Sequence, residues 1–272
     1  MCQKAASQKF EDLGEPNRIW AIPSIHGCAE SLIHLHDLIY EQFELGDKIL
    51  YLGNYTGYGT QNIEVIDEIL TFRRMIMSLP GVFPDDLVYL RGRQEVMISK
   101  LLQLQFAPDP RNVLDWMLKN GMQSTMDSYE VDIDRGLRAA LEGVTGIGCW
   151  TRQVGEKLKS YPGHDVFRNQ LRRAAFTNMN FESPLLFVHA GLAPDKALSI
   201  QGDHLWWSGH DFNKITKPYS PFRRVIRGYD PYHRGVHVNG VTATLDNGAG
   251  MGGDLVVGCI DRYGQHIDVM SA

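Results

Sequence analysis

A chain of 272 residues with 43% hydrophobic and 22% charged side chains has the make-up of an ordinary folded protein, which excludes wholesale disorder. A formal net charge of -5 without a long Lys/Arg run argues against nucleic acid as a partner. No apolar run approaches the roughly 20 residues that span a bilayer, and the N-terminus has no apolar signal core, so a cytoplasmic protein without a membrane partner is expected.

In chain order, residues 1–17 are polar and aperiodic and read as a flexible tail before one domain over 18–272. Arg18–Ile22 reads as a buried strand, followed by the loop Ser24-Ile25-His26-Gly27 and a helix carrying Leu32, Leu35, Leu38, Ile39 and Phe43 at helical spacing. Lys48–Leu52 is a second strand, Gly53–Thr60 a Gly-rich loop, and Asn62–Leu79 a second amphipathic helix. Leu87–Leu90 opens a third unit that runs through Arg91-Gly92-Arg93-Gln94-Glu95 into another helix. Three successive βα units predict parallel strands flanked by helices, with the functional loops at the strands' carboxyl ends. Residues 109–176 read as a helical insertion with a turn at Asn120-Gly121, and strands are expected again at Leu185–Val188, Arg224–Ile226, Val241–Leu245 and Leu255–Ile260. The run Arg223-Arg224 with Arg227 reads as a solvated strand edge, and Cys2, Cys28, Cys149 and Cys259, scattered along the chain, read as buried or half-buried small apolar residues.

Five short segments in order, Pro23-Ser24-Ile25-His26-Gly27, Gly53-Asn54-Tyr55-Thr56-Gly57-Tyr58-Gly59, Gly92-Arg93-Gln94-Glu95, Val188-His189-Ala190-Gly191 and Gly228-Tyr229-Asp230-Pro231, carry a resemblance. From about Ile19 onward the chain resembles the calcineurin-like metallophosphoesterases, in their phosphoprotein-phosphatase and diadenosine tetraphosphatase branch. The family pattern is Gly-Asp-x-His-Gly, Gly-Asp-x-x-Asp-Arg-Gly, Gly-Asn-His-Glu, Val-His-Ala-Gly and Gly-His-Thr. The resemblance implies an α/β fold of two packed, mainly mixed β-sheets flanked by helices, and a pair of divalent metals such as manganese. It also implies which positions would hold them: Ser24, His26 and Asn54 for the first ion, and Asn54, Arg93, His189 and Tyr229 for the second. Only His26 and His189 keep a good ligand type, and without carboxylates at Ser24 and Asn54 nothing balances the charge of two divalent ions. The family's general-acid histidine falls on Gln94, its orienting aspartate on Gly57, and its phosphate-clamping arginines on Tyr58 and Ser208.

These substitutions set up the expectation of a catalytically impaired relative with no catalytic residues, no metal and no cofactor, acting through an unidentified protein partner or a phosphorylated or nucleotide ligand. Arg93, His26, His189, Asn54 and Tyr229 are its candidate ligand-binding residues. The alternative is an active serine/threonine protein phosphatase or dinucleoside polyphosphate hydrolase with unusual ligands. For His26 and His189 the simpler expectation is hydrogen bonding to loop backbone, and for Arg93 a salt bridge to Glu95 or Asp230, against a fixed cation offered to an anion. Gly248–Gly253 reads as a tight loop between strands, since no helix follows it as a dinucleotide site would need. Tyr55, Tyr58, Trp206, Trp207, Tyr219, Tyr229 and Tyr232 are expected in or near the site loops.

Overall fold

The computed structural model describes residues 9–179 and 182–272; residues 1–8 of the expected tail, with Cys2, lie outside the described residues. Alternation along the first expected strand decides its place. In β2 (Arg18–Ile22), Ile19 and Ala21 point to one side and Trp20 and Ile22 to the other, and all four are fully buried. A strand apolar on both faces must be covered on both.

It pairs in parallel with β3 (Lys48–Tyr51), and β3 pairs in parallel with β4 (Leu87–Tyr89), as the repeated βα units require. On its other side β2 meets antiparallel β10 (Val256–Asp261), which carries β11 (Ile267–Ser271) at the edge. The second sheet has six strands, β1 (Phe10–Asp12), β5 (Ala174–Phe176), β6 (Leu185–Val188), β7 (Arg224–Arg227), β8 (His237–Val238) and β9 (Thr242–Thr244), in the order β1-β5-β6-β7-β9-β8.

Ile19, Ala21, Leu50 and Leu52 from the first sheet pack on Phe187, Ile226 and Ala243 from the second, so one core lies between the sheets. The outer face of the first sheet is covered by α1 (Ala29–Gln42) and α2 (Asn62–Met77) through Leu32, Leu35, Ile39, Ile66, Ile69 and Phe72, the apolar stripe visible in the sequence. The outer face of the second sheet places Leu186, Val188 and Val225 on Leu205 and Phe212. The architecture is thus α/β with two mixed sheets sandwiched between helices.

Three expectations need correction. Residues 9–17 are not a loose tail: Phe10–Asp12 pairs in parallel with β5, and the Asn17 amide donates to the Gly46 carbonyl. After α3 (Arg93–Leu101), the helical stretch expected over 109–176 runs through α4 (Pro110–Met117), α5 (Gln123–Ser128), α6 (Ile133–Ala139), α7 (Gly143–Lys159) and α8 (His164–Gln170), but its last residues, Ala174–Phe176, are a strand between β1 and β6. Nor is β7 a solvated edge. It lies between β6 and β9, Arg227 is buried against Asp230 at 3.1 Å, and Arg224 donates to the Gly264 carbonyl. Of the cysteines, Cys28 and Cys259 are half-buried as expected, whereas Cys149 is exposed. Among the described residues no helix is long and apolar enough to cross a membrane.

Two details of the helical stretch bear on the site. Asp109 caps α4 by accepting from the Asn112 amide at 3.0 Å, with Pro110 at the first helical position. The chain turns at Asn120-Gly121 as expected, kinking between two helices, and Gly121 takes φ 97° with an added Cβ standing 2.7 Å from Gln94 Nε2. Gly121→Ala should therefore cost about 2 kcal/mol in urea unfolding, from the left-handed backbone and the crowding together. A loss under about 0.5 kcal/mol would show that this turn relaxes freely.

Two Tyr-His-carboxylate chains, with the tyrosines and histidines buried, fasten α2 on both sides. The Tyr51 hydroxyl lies 2.8 Å from His36 Nε2, whose Nδ1 lies 2.6 Å from Glu68 Oε1. The Tyr129 hydroxyl lies 2.6 Å from His164 Nδ1, whose Nε2 lies 3.2 Å from Asp67 Oδ1. The two carboxylates are consecutive on the helix.

Candidate functional site

Because β2, β3 and β4 run parallel in register, as do β6 and β7, their carboxyl-end loops converge at one end of the sandwich. His26 (φ 51°) and Asn54 (φ 57°) both sit in the left-handed region there, a conformation that non-glycine residues hold only when their surroundings fix it. The Asn54 carbonyl accepts from the amides of Ile25 and His26, at 2.9 Å each. On the other side the buried Glu95 carboxylate accepts from the amides of Asn54, Tyr55 and Gly92 at 3.0, 3.0 and 2.8 Å. One carboxylate thus ties the second and third loops together.

The two positions that would bear acidic ligands, Ser24 and the bridging position Asn54, carry neutral groups that satisfy one another. The Asn54 side-chain amide lies 3.2 Å from Ser24 Oγ and 3.2 Å from His26 Nε2, while its oxygen accepts from the Gln94 amide at 3.0 Å. Ser24 Oγ donates onward to the Gly228 carbonyl at 3.0 Å. His189 donates from Nδ1 to the Leu52 carbonyl at 2.7 Å, which leaves its Nε2 buried and unpartnered. His189 therefore bonds to loop backbone, and His26 bonds to the Asn54 side chain. Burial pushes the imidazolium of His26 down to about 4 and that of His189 to about 3, so both rings are neutral at pH 7.

The remaining space is filled. Tyr229 stacks on His189 with ring centroids 5.3 Å apart, and burial raises its phenol to about 12. Tyr58 meets His26 edge-on at 5.1 Å. Gly57 lies so close to His26 Nδ1 that a Cβ there would collide with it, so this loop has no room for the family's aspartate without moving the ring. Gln94 donates to the Asn120 carbonyl at 2.8 Å. Ser208 turns to His204, 2.7 Å from its Nδ1.

Arg93 pairs with neither Glu95, which is occupied by backbone amides, nor Asp230, which is taken by Arg227 and Arg234. Its guanidinium instead donates to Asn120 Oδ1 at 2.6 Å and to the Tyr229 hydroxyl at 3.3 Å, between the indoles of Trp116 and Trp207 at 5.6 and 5.0 Å. All of these partners are neutral, so the charge is oriented and not cancelled.

Of the aromatic residues expected here, Tyr58, Trp207 and Tyr229 reach the site. Tyr55 is buried with its hydroxyl on the Leu90 carbonyl, Trp206 donates to the Arg91 carbonyl, Tyr219 joins Gln201 elsewhere, and Tyr232 is exposed beside Arg234. Trp116, Asn120 and Asp246 were not anticipated. Asp246 is buried and accepts from the amides of Asp230 and Gly248, with His233 Nδ1 at 3.0 Å. The glycine loop after β9 joins strands as expected, and its Gly250 packs against His26, where a Cβ would come within 2.6 Å. The only sequence signal for Asp246 was its place at the end of a strand before Asn247-Gly248.

This donor set does not fit two divalent ions. Asn54 directs its N–H groups inward, Ser24 is spent on backbone, Arg93 adds positive charge, and among the described residues no three His, Cys, Asp or Glu side chains converge.

No family model and no curated protein matches the sequence. Solved structures do match the fold. One titled as a putative diadenosine tetraphosphatase is 17% identical with a TM-score of 0.55, covering 97% of this chain and 98% of its own. A protein serine/threonine phosphatase from Saccharomyces cerevisiae is 13% identical with a TM-score of 0.55, covering 99% and 87%. A cold-active protein-tyrosine phosphatase from a psychrophilic Shewanella species is 12% identical with a TM-score of 0.52, covering 97% and 83%. This company stands against the expectation that no cofactor is involved, because the neighbours are titled as phosphatases, the class for which the sequence resemblance implies a divalent metal. With two mixed sheets between helices, loops converging after β2, β3, β4, β6 and β7, and phosphatases as structural neighbours, this chain has the calcineurin-like metallophosphoesterase fold.

Proposed function

We propose that this protein is a catalytically impaired member of the phosphatase fold that acts by binding a phosphorylated ligand at the face marked by Arg93. The observation that carries this reading is the exchange of roles at the site. Where hydrolysis in this fold would need acidic ligands and a proton-transferring imidazole, the chain supplies Ser24, Asn54 and Gln94, each engaged in hydrogen bonds, and Tyr229 fills the space above His189. Gln94 cannot exchange a proton near neutral pH. Arg93, held between Trp116 and Trp207 by neutral acceptors, supports binding of an anion, since a guanidinium fixed in this way offers its remaining N–H groups to a phosphate without first breaking an ion pair.

The test is turnover of a generic phosphate ester by the purified chain with manganese, nickel or magnesium present. We expect none above a heat-killed control. The combined reversion Ser24→Asp, Asn54→Asp, Arg93→Asn, Gln94→His and Tyr229→His should gain activity, if only partly, because Gly57 still lacks the orienting carboxylate. Turnover by the unaltered protein would refute the proposal. On the binding side, a phosphoserine peptide titrated into the chain should lose about tenfold in affinity on Arg93→Gln, a charge-assisted bond's worth.

A further inference from the structure

Away from this site, a groove of about 940 Å³ runs along β1, the edge strand of the six-stranded sheet. Its apolar wall is Phe10, Phe176, Leu198, Tyr219, Pro221 and Phe222. Among the described residues no strand pairs with the outer side of β1. The Lys9 carbonyl accepts from the Arg173 amide and the Leu13 amide donates to the Phe176 carbonyl, so the odd-numbered residues 9, 11 and 13 turn their backbone groups toward β5. By the alternation of a strand, Phe10 and Asp12 turn their N–H and C=O groups to the open side. An unpaired strand edge bordering an apolar groove is the arrangement that accepts an added strand.

The rim sets the charge of what can lie there. Asp12 and Asp195 are exposed at the groove and neither has an ion-pair partner among the described residues. Glu11 is neutralised by Arg172 at 2.6 Å, and Lys196 is turned toward His204 Nε2 at 2.9 Å. The balance left at the rim is negative.

We propose that this groove docks an extended segment of a partner protein, apolar at alternate positions and flanked by Lys or Arg, which adds to the open edge of β1. The backbone of Phe10 and Asp12 supplies the ladder bonds, the ring-lined wall takes every second side chain, and the two aspartates select basic flanks. The inference is independent of the histidine site, and neither depends on the other.

Fluorescence polarisation with the full chain and short labelled peptides tests it. A Lys-flanked peptide with alternating Val and Leu should bind about tenfold tighter than the same core flanked by Glu, and Asp195→Lys should erase or invert that preference. Asp12→Pro, which removes an outward N–H while leaving the β5 ladder intact, should weaken binding about fivefold with unchanged thermal stability. Binding indifferent to flank charge and to Asp12→Pro, or no binding of any peptide, would overturn the proposal. So would equal binding of a peptide of residues 1–8, which would make the chain's own terminus the occupant. Self-association in sedimentation that Leu198→Asp abolishes would reassign the groove to a second copy and likewise overturn it.

Discussion

Acidification from about pH 7 to about pH 5 should remove about 4 kcal/mol of folding stability through His26 and His189 alone. Both rings are held neutral by burial, at about 4 and about 3, whereas in the unfolded chain they titrate at the ordinary histidine value of 6.5. Between those limits the unfolded state takes up protons that the native state refuses, so stability rises with pH and is lost as pH falls through 6.5 toward the folded values. His36 and His164 act in the same direction, since burial lowers both against the pull of Glu68 and Asp67. A loss of that size is a large part of the 5–15 kcal/mol that a domain commonly holds. Urea unfolding followed by tryptophan fluorescence at a series of pH values measures it, and a stability constant between pH 7 and pH 5 would show that these rings are not buried and neutral.

Glu95→Ala should cost about 4 kcal/mol, because three buried amides from two loops lose their acceptor at once. Glu95→Gln keeps one acceptor oxygen but turns an N–H toward amides that are themselves donors, so it should recover less than half of the loss. The damage should concentrate at the site, where Asn54 depends on this carboxylate to hold its left-handed backbone. Hydrogen exchange at residues 53–57 and 92–95 is the direct measurement. Were Glu95→Ala to unfold within about 1 kcal/mol of the parent, the carboxylate would not be what joins the loops.

The parts of this fold legible in the sequence are those in which one element buries a whole face. Trp20 and Ile22 against Ile19 and Ala21 identify a doubly covered strand, and Leu32, Leu35 and Ile39 a helix lying on it. Strands of two or three residues such as Phe10–Asp12, Ala174–Phe176 and His237–Val238 carry too little alternation to be read, and their existence is settled by partners more than a hundred residues away or by a single neighbouring strand. The loop chemistry was visible as motifs, since each motif follows its strand directly. The partners of Arg93 were not visible. Asn120 is 27 residues on, at the kink between two helices, and Trp116 lies one helical turn before it, so an ion pair with a nearby acid looked simpler until the backbone amides were seen to occupy Glu95. Arg227 misled for a related reason. Three arginines within five residues look like solvated surface until Asp230, three positions later, proves to be a buried counter-charge.

Asp67 and Glu68 have a mechanical consequence. Consecutive residues on a helix point about 100° apart, so one peptide unit reaches a histidine from the helical stretch with one side chain and a histidine that grips the sheet through Tyr51 with the other. Shearing the helical lobe across the sheet would have to part both linkages at one place on α2, and that turn is where slack between the two halves of the protein is taken up or refused.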